Sequence, residues 1–172
     1  VNIENIHFES IEIQNLGTDN YTGIIVSTMG NVRYSKFSNI IINAPNMSYV
    51  GIIADNRAGN ITNIQMNDIQ CKGKSCVGGL IGRGLSGTMD SIEGNNIEII
   101  GSRDYIGGIV GNWGNGGSNV TLKNSSITGK NSVGGIGGYC RSSHFIGENL
   151  SVIGENNVGG LCGKYDGAKV SY

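Results

Sequence analysis

The chain has 172 residues, a formal net charge of −1 and a sequence pI of about 6.1. That length suits one domain, and no basic stripe is present to drive nucleic-acid binding. Thirty glycines against one proline, with no Gly-X-Y period, exclude collagen, and no apolar run approaches the ~18 residues needed for membrane insertion by a helix.

From the N-terminus the pattern is strand-like. "NIENIHFESIEI" (2–13) alternates apolar and polar residues, so one side chain points in and the next out. A turn-rich stretch follows, then a glycine cluster opening at Gly23. The same order returns as "NVRYSKFSNIII" (31–42) with Gly51, "NITNIQMNDIQC" (60–71) with Gly78, and "TMDSIEGNNIEI" (88–99) with Gly107. Gly134 and Gly159 continue it, and subtraction of the six anchor numbers gives intervals of 28, 27, 29, 27 and 25. No stretch sustains a helical apolar period with caps. The expected fold is therefore all-β: a parallel β-helix (β-solenoid) of about six coils of roughly 27 residues, with essentially no α-helix.

Aligned on the anchors, the preceding position is β-branched in every repeat: Thr22, Val50, Val77, Ile106, Val133 and Val158. Two positions after the anchor stand Ile25, Ile53, Leu80, Ile109, Ile136 and Leu161. In the second block Ile11, Ile40, Ile69 and Ile97 recur, with Ile127 and Leu150 aligned as their continuation. A small polar column precedes them: Ser10, Asn39, Asp68, Asn96, Ser126 and Asn149, expected to form a side-chain ladder at a bend. The glycines are expected to permit a bend between two buried apolar positions and close approach of facing walls.

"GRGLSG" (82–87) does match the dinucleotide fingerprint G-x-G-x-x-G. A strand pattern follows it, so no helix N-terminus is available to hold a pyrophosphate. No H-E-x-x-H or G-x-S-x-G is present, and the acidic residues are scattered. Glu12 and Glu98 share a column, but Ile41 and Gln70 lie between them. The expectation is a non-enzyme with no cofactor and no metal.

The segments after the glycine clusters vary in length and read as stacked loops. Arg83, Trp113, Tyr139, Arg141, Lys164 and Tyr165 would cluster there as ligand-facing residues, since aromatics with cations suit a sugar or a peptide. Cys71 and Cys76 flank "KGKS", and either a disulfide joins them or all four cysteines are small buried thiols. Asn46, in a turn beside Pro45, is the most accessible N-x-[ST] acceptor if the protein is a eukaryotic secreted one.

The motifs Gly79-Leu80-Ile81-Gly82, Gly108-Ile109-Val110-Gly111 and Gly160-Leu161-Cys162-Gly163 resemble the GLUG repeat. Gly135-Ile136-Gly137-Gly138 matches less closely, and the first two repeats depart with "GIIVS" and "GIIAD". The resemblance implies kinship with large bacterial surface proteins: adhesin-like chains and the non-catalytic region of immunoglobulin A-specific metallopeptidases. The peptidase metal motif is absent, so that activity does not carry over. The expected role is thus a secreted or cell-surface rod displaying variable loops. The alternatives are a self-assembling extracellular filament subunit and a carbohydrate-binding or carbohydrate-active β-helix. The closing "KVSY" (169–172) matches "NVRY" (31–34), so the chain reads as 172 residues of one solenoid domain within a longer chain. Its expected partners are flanking coils or identical copies stacked end to end, and a glycan or host protein.

Overall fold

The computed structural model describes residues 2–18, 20–141 and 144–166. The "KVSY" match lies outside them. Every regular element among these residues is a strand, and every strand pairing is parallel. The strands form three sheets that climb together as a β-solenoid of about six coils with roughly 28-residue spacing.

Each coil begins with a long strand. Val32–Asn43, Ile61–Gly73, Met89–Gly101, Gly117–Thr128 and Phe145–Ile153 stack in that order, with Ile3–Glu4 and His7–Gln14 beneath. A first short sheet follows, comprising Tyr21–Thr22, Tyr49–Val50, Val77–Gly78, Asp104–Gly107, Asn131–Gly134 and Asn156–Gly159. A second short sheet comprises Ile25–Thr28, Ile53–Asn56, Ile81–Gly84, Val110–Trp113, Gly137–Cys140 and Cys162–Tyr165.

The four long blocks aligned from the sequence do pair in that register: Phe8 on Phe37 on Met66 on Gly94, and Ile13 on Ile42 on Cys71 on Ile99. These inward residues form one continuous core from Val32 to Ile136. The fifth coil departs from the expected alignment. Ile127 pairs with Ile99, not with Ile97. The position above Ile97 is Ser125, a buried serine whose hydroxyl accepts from the Ile97 N–H at 2.9 Å and donates to the Lys123 carbonyl at 2.6 Å. A hydrogen-bonded serine can replace an isoleucine there because its one polar group is satisfied.

The polar column shifts accordingly, with Asn124 in place of Ser126. Ser10, Asn39, Asp68, Asn96, Asn124 and Asn149 all have φ between 49° and 57°. Short polar side chains tolerate this left-handed conformation by bonding locally. They also bond up the axis: Asn149 donates to Asn124 at 3.0 Å, and Asn96 donates to Asp68 at 2.5 Å. A second left-handed column, Asn5, Tyr34, Asn63, Ser91 and Asn119, turns the chain again five residues earlier in the first five coils. Below it, Asn2, Asn31 and Asn60 each accept a backbone N–H from the coil above, at 3.4, 2.9 and 2.9 Å.

The glycine cluster also differs from its sequence alignment. Val50 pairs with Val77, yet Ile53 pairs with Ile81. The partner of Ile53 is therefore three residues after its anchor, and the second glycine of "VGGLIG" is an inserted residue. Ile52 and Leu80 are the corresponding core residues: the Ile52 N–H bonds the Gly79 carbonyl and the Ile53 N–H bonds that of Leu80. Among the described glycines only Gly87 has a left-handed φ, so the motif glycines are not there for that freedom. They are there for space. A Cβ on Gly79 would lie 2.5 Å from the Gly108 carbonyl oxygen, and one on Gly82 would lie 2.7 Å from the Val50 nitrogen. Gly111, Gly138 and Gly163 face the backbones of Cys76–Val77, Tyr105–Ile106 and Ser132–Val133 in the same way. The coil doubles back sharply at the motif, and its two short sheets meet backbone to backbone.

Candidate functional site

Alternation along the second short sheet decides which expected ligand-facing residues reach solvent. Arg83, Trp113, Tyr139, Lys164 and Tyr165 all lie on its strands rather than in loops. Asp55, Arg83, Asn112, Tyr139 and Lys164 share one column by register, and Asn56, Gly84 and Trp113 share the next. The second column faces inward. Trp113 is 1% exposed and belongs to the core, which corrects its expected place in a binding face. A Cβ at Gly84, one coil below, would lie 2.0 Å from the indole, so that glycine makes its room. The indole N–H donates to the Gly116 carbonyl at 3.3 Å, satisfying its polar edge.

Arg83 is held inside the protein rather than offered to a ligand. Its Nε donates to Asp55 at 3.0 Å, one terminal nitrogen donates to the Tyr21 hydroxyl at 2.8 Å, and its guanidinium lies 4.5 Å from the Tyr49 ring. Tyr21 and Tyr49 stack at 4.8 Å. Arg57 donates to the other Asp55 oxygen at 2.9 Å. Asp55 is fully buried. Burial pushes its carboxyl pKa up, but hydrogen bonds from Arg83 and Arg57 outweigh this and hold it below the usual carboxylate range.

At the C-terminal end, Tyr139, Arg141, Lys164 and Asp166 do come together. Tyr139 donates to Asp166 at 2.9 Å, and Arg141 pairs with Asp166 at 3.1 Å. The Arg141 and Lys164 cations each lie 5.9 Å from the Tyr139 ring. Tyr165 stacks above Cys140 and is exposed. The expected cluster thus exists for Tyr139, Arg141 and Lys164, whereas Tyr165 continues the Trp113 column and Arg83 lies two coils below in a network of its own.

All four cysteines are free thiols, which corrects the Cys71–Cys76 disulfide expectation. Cys71 points into the core between Ile42 and Ile99. Cys76, left-handed at φ 47°, brings its thiol to Asn112. Cys140 and Cys162 interact, but Cys140 pairs with Tyr165 and Cys162 with Gly137, a three-residue offset that keeps the backbones apart. Burial pushes the Cys71 thiol up to about 12 and Cys76 to about 11, whereas a hydrogen bond from Cys140 lowers Cys162. Brief alkylation of the native chain at about pH 8 should therefore label Cys162 first and Cys71 only after unfolding. Peptide mass spectrometry reads the order, and labelling of Cys71 ahead of Cys162 would contradict this packing.

Asn46 lies exposed in a turn, as its sequence context implied. Among the described residues, no group of three or more His, Cys, Asp or Glu side chains is arranged to hold a metal. A depression lies on the outward face of the long sheet, a trough of about 520 Å³ beside Gln65, Glu93 and Thr121. Sequence reading missed it because no single motif marks it. Two smaller troughs, of about 310 and 210 Å³, share Ile41, Gln70 and Glu98, and the second also reaches Asn39, Asp68 and Asn96 of the left-handed column.

Comparisons with family models, with curated proteins and with solved structures find no match to this chain.

Proposed function

We propose that the chain is a non-catalytic, structural and adhesive segment of a secreted or cell-surface protein. It acts as a stiff rod that holds its outward faces at fixed spacing for a glycan or host protein. The observation that carries this reading is the unbroken stack: the same columns repeat coil on coil, with one apolar core inside all three sheets. Parallel ladders place their hydrogen bonds along the solenoid axis, so an axial load is shared by three sheets. The resemblance of the later repeats to those of adhesin-like surface proteins agrees with this role. So does the separation of Glu12 from Glu98 by Ile41 and Gln70, which leaves no carboxylate pair in that column.

The test is mechanical. Pulled from its two ends in single-molecule force spectroscopy, the chain should unravel in steps of about 95 Å, from a 28-residue coil at roughly 3.4 Å per residue. Smooth extension with no steps would overturn the reading.

A further inference from the structure

The two left-handed columns bend four successive long strands twice, from Val32–Asn43 to Gly117–Thr128, and the outward face between the bends holds the depression beside Gln65, Glu93 and Thr121. Gln65, Glu93 and Thr121 line one side of this trough and Asn67, Asn95 and Lys123 the other, over three successive coils. Like groups therefore recur about every 4.8 Å along the axis.

These side chains differ from those of the neighbouring ridge. On the ridge, Asn96 bonds Asp68 and Asn149 bonds Asn124. In the trough, among the described residues, Gln65, Asn67, Glu93 and Thr121 make no side-chain hydrogen bond or ion pair within the protein. Asn95 accepts from Asn124 at 2.9 Å, which leaves its own amide N–H groups unused. Lys123 is neutralised by Glu148 at 2.8 Å, so Glu93 is, among the described residues, the one unpaired charge lining the trough, and a single carboxylate disfavours a polyanion.

The main chain there is already paired on both sides in parallel ladders, so a peptide cannot add to it as a strand. What the trough offers is a mixture of amide donors, amide acceptors, a hydroxyl and a carboxylate. Sugar hydroxyls, each both donor and acceptor, match such a mixture. We propose that this trough binds a neutral polysaccharide laid along the solenoid axis, with successive sugar units meeting successive coils. Each contact replaces water and is weak alone, so binding needs several coils at once and a polymer rather than a monosaccharide. The inference deepens the adhesive reading and takes from it only the axial continuity of the rod, which the pulling experiment tests separately.

The test is affinity electrophoresis of the whole chain in native gels containing β-1,3-glucan, β-1,4-glucan, β-1,4-mannan or α-1,4-glucan, with heparin as the polyanionic comparison. At least one neutral polymer should retard the protein. Combined Gln65→Ala, Glu93→Ala and Thr121→Ala should weaken retardation about tenfold or more, with the strand circular dichroism unchanged because all three side chains reach solvent. Gln70→Ala with Glu98→Ala, in the adjacent troughs, should stay within about twofold of the parent. No retardation by any of the neutral polymers, retardation by heparin alone, or equal binding by the triple variant would each overturn the proposal.

Discussion

Gly111→Ala is expected to lower stability by about 3 kcal/mol, read as a fall of roughly 1.5 M in the urea midpoint at a slope of about 2 kcal/mol per M. The added methyl would lie 2.4 Å from the Cys76 carbonyl carbon and 2.6 Å from the Val77 nitrogen. Those are backbone atoms of the preceding coil, fixed on both sides by parallel ladders, so no rotamer change can relieve the overlap. The two short sheets would have to separate, and the core residues Leu80 and Ile109 beneath them would lose contact. Gly116→Ala is the control. It has nothing within 4 Å of the added carbon and no left-handed φ, so its effect should stay within about 0.5 kcal/mol. Equal losses at both positions would mean that chain flexibility, not space, explains the glycines.

The second large effect is expected at Asp55. Asp55→Ala should cost about 3 kcal/mol, because it leaves Arg83, with a side chain only 23% exposed, against Tyr49 without its counter-charge. Removing Arg83 as well should cost less than the sum of the single losses, since the two form one network with Arg57 and Tyr21. Strict additivity would sink the idea. The pH dependence has a definite sign. The folded-state pKa of Asp55 is lowered, so its contribution is complete above the unfolded value near 3.8 and is lost as pH falls through the folded one. Acid unfolding below about pH 4 should therefore be less steep for Asp55→Asn than for the parent, by denaturant titration at several pH values.

Much of this molecule was legible along the chain because a solenoid repeats its environment. A residue 28 positions on meets the same neighbours, so Ile40, Ile69 and Ile97 could be aligned before any coordinates were known. Two local slips were not legible. Ser125 stands where an isoleucine was expected, because a serine that bonds the Ile97 N–H fills a buried place as well as an aliphatic does. The second motif glycine looked like a substitution for Ile24 and Ile52 but is an insertion, visible only when Ile53 pairs with Ile81. The binding face was harder still. Aromatic and cationic letters in variable segments suggested one cluster, yet a strand alternates, so Trp113 turned inward while Tyr139 turned out.

By itself, then, the sequence determined the period, the parallel stacking of like on like, and the identity of most core columns. These follow from side-chain polarity and from steric rules that act along a single coil. Only the tertiary structure decided what the glycines of "VGGLIG" are for. Their necessity lies in the backbones of the coils above and below, at separations where a single methyl does not fit. It likewise decided that Arg83 is locked on Asp55 and that the unused polar groups line a trough on the long sheet. Both depend on which side chains from different coils find one another, and neighbours in space are not written as neighbours in the chain.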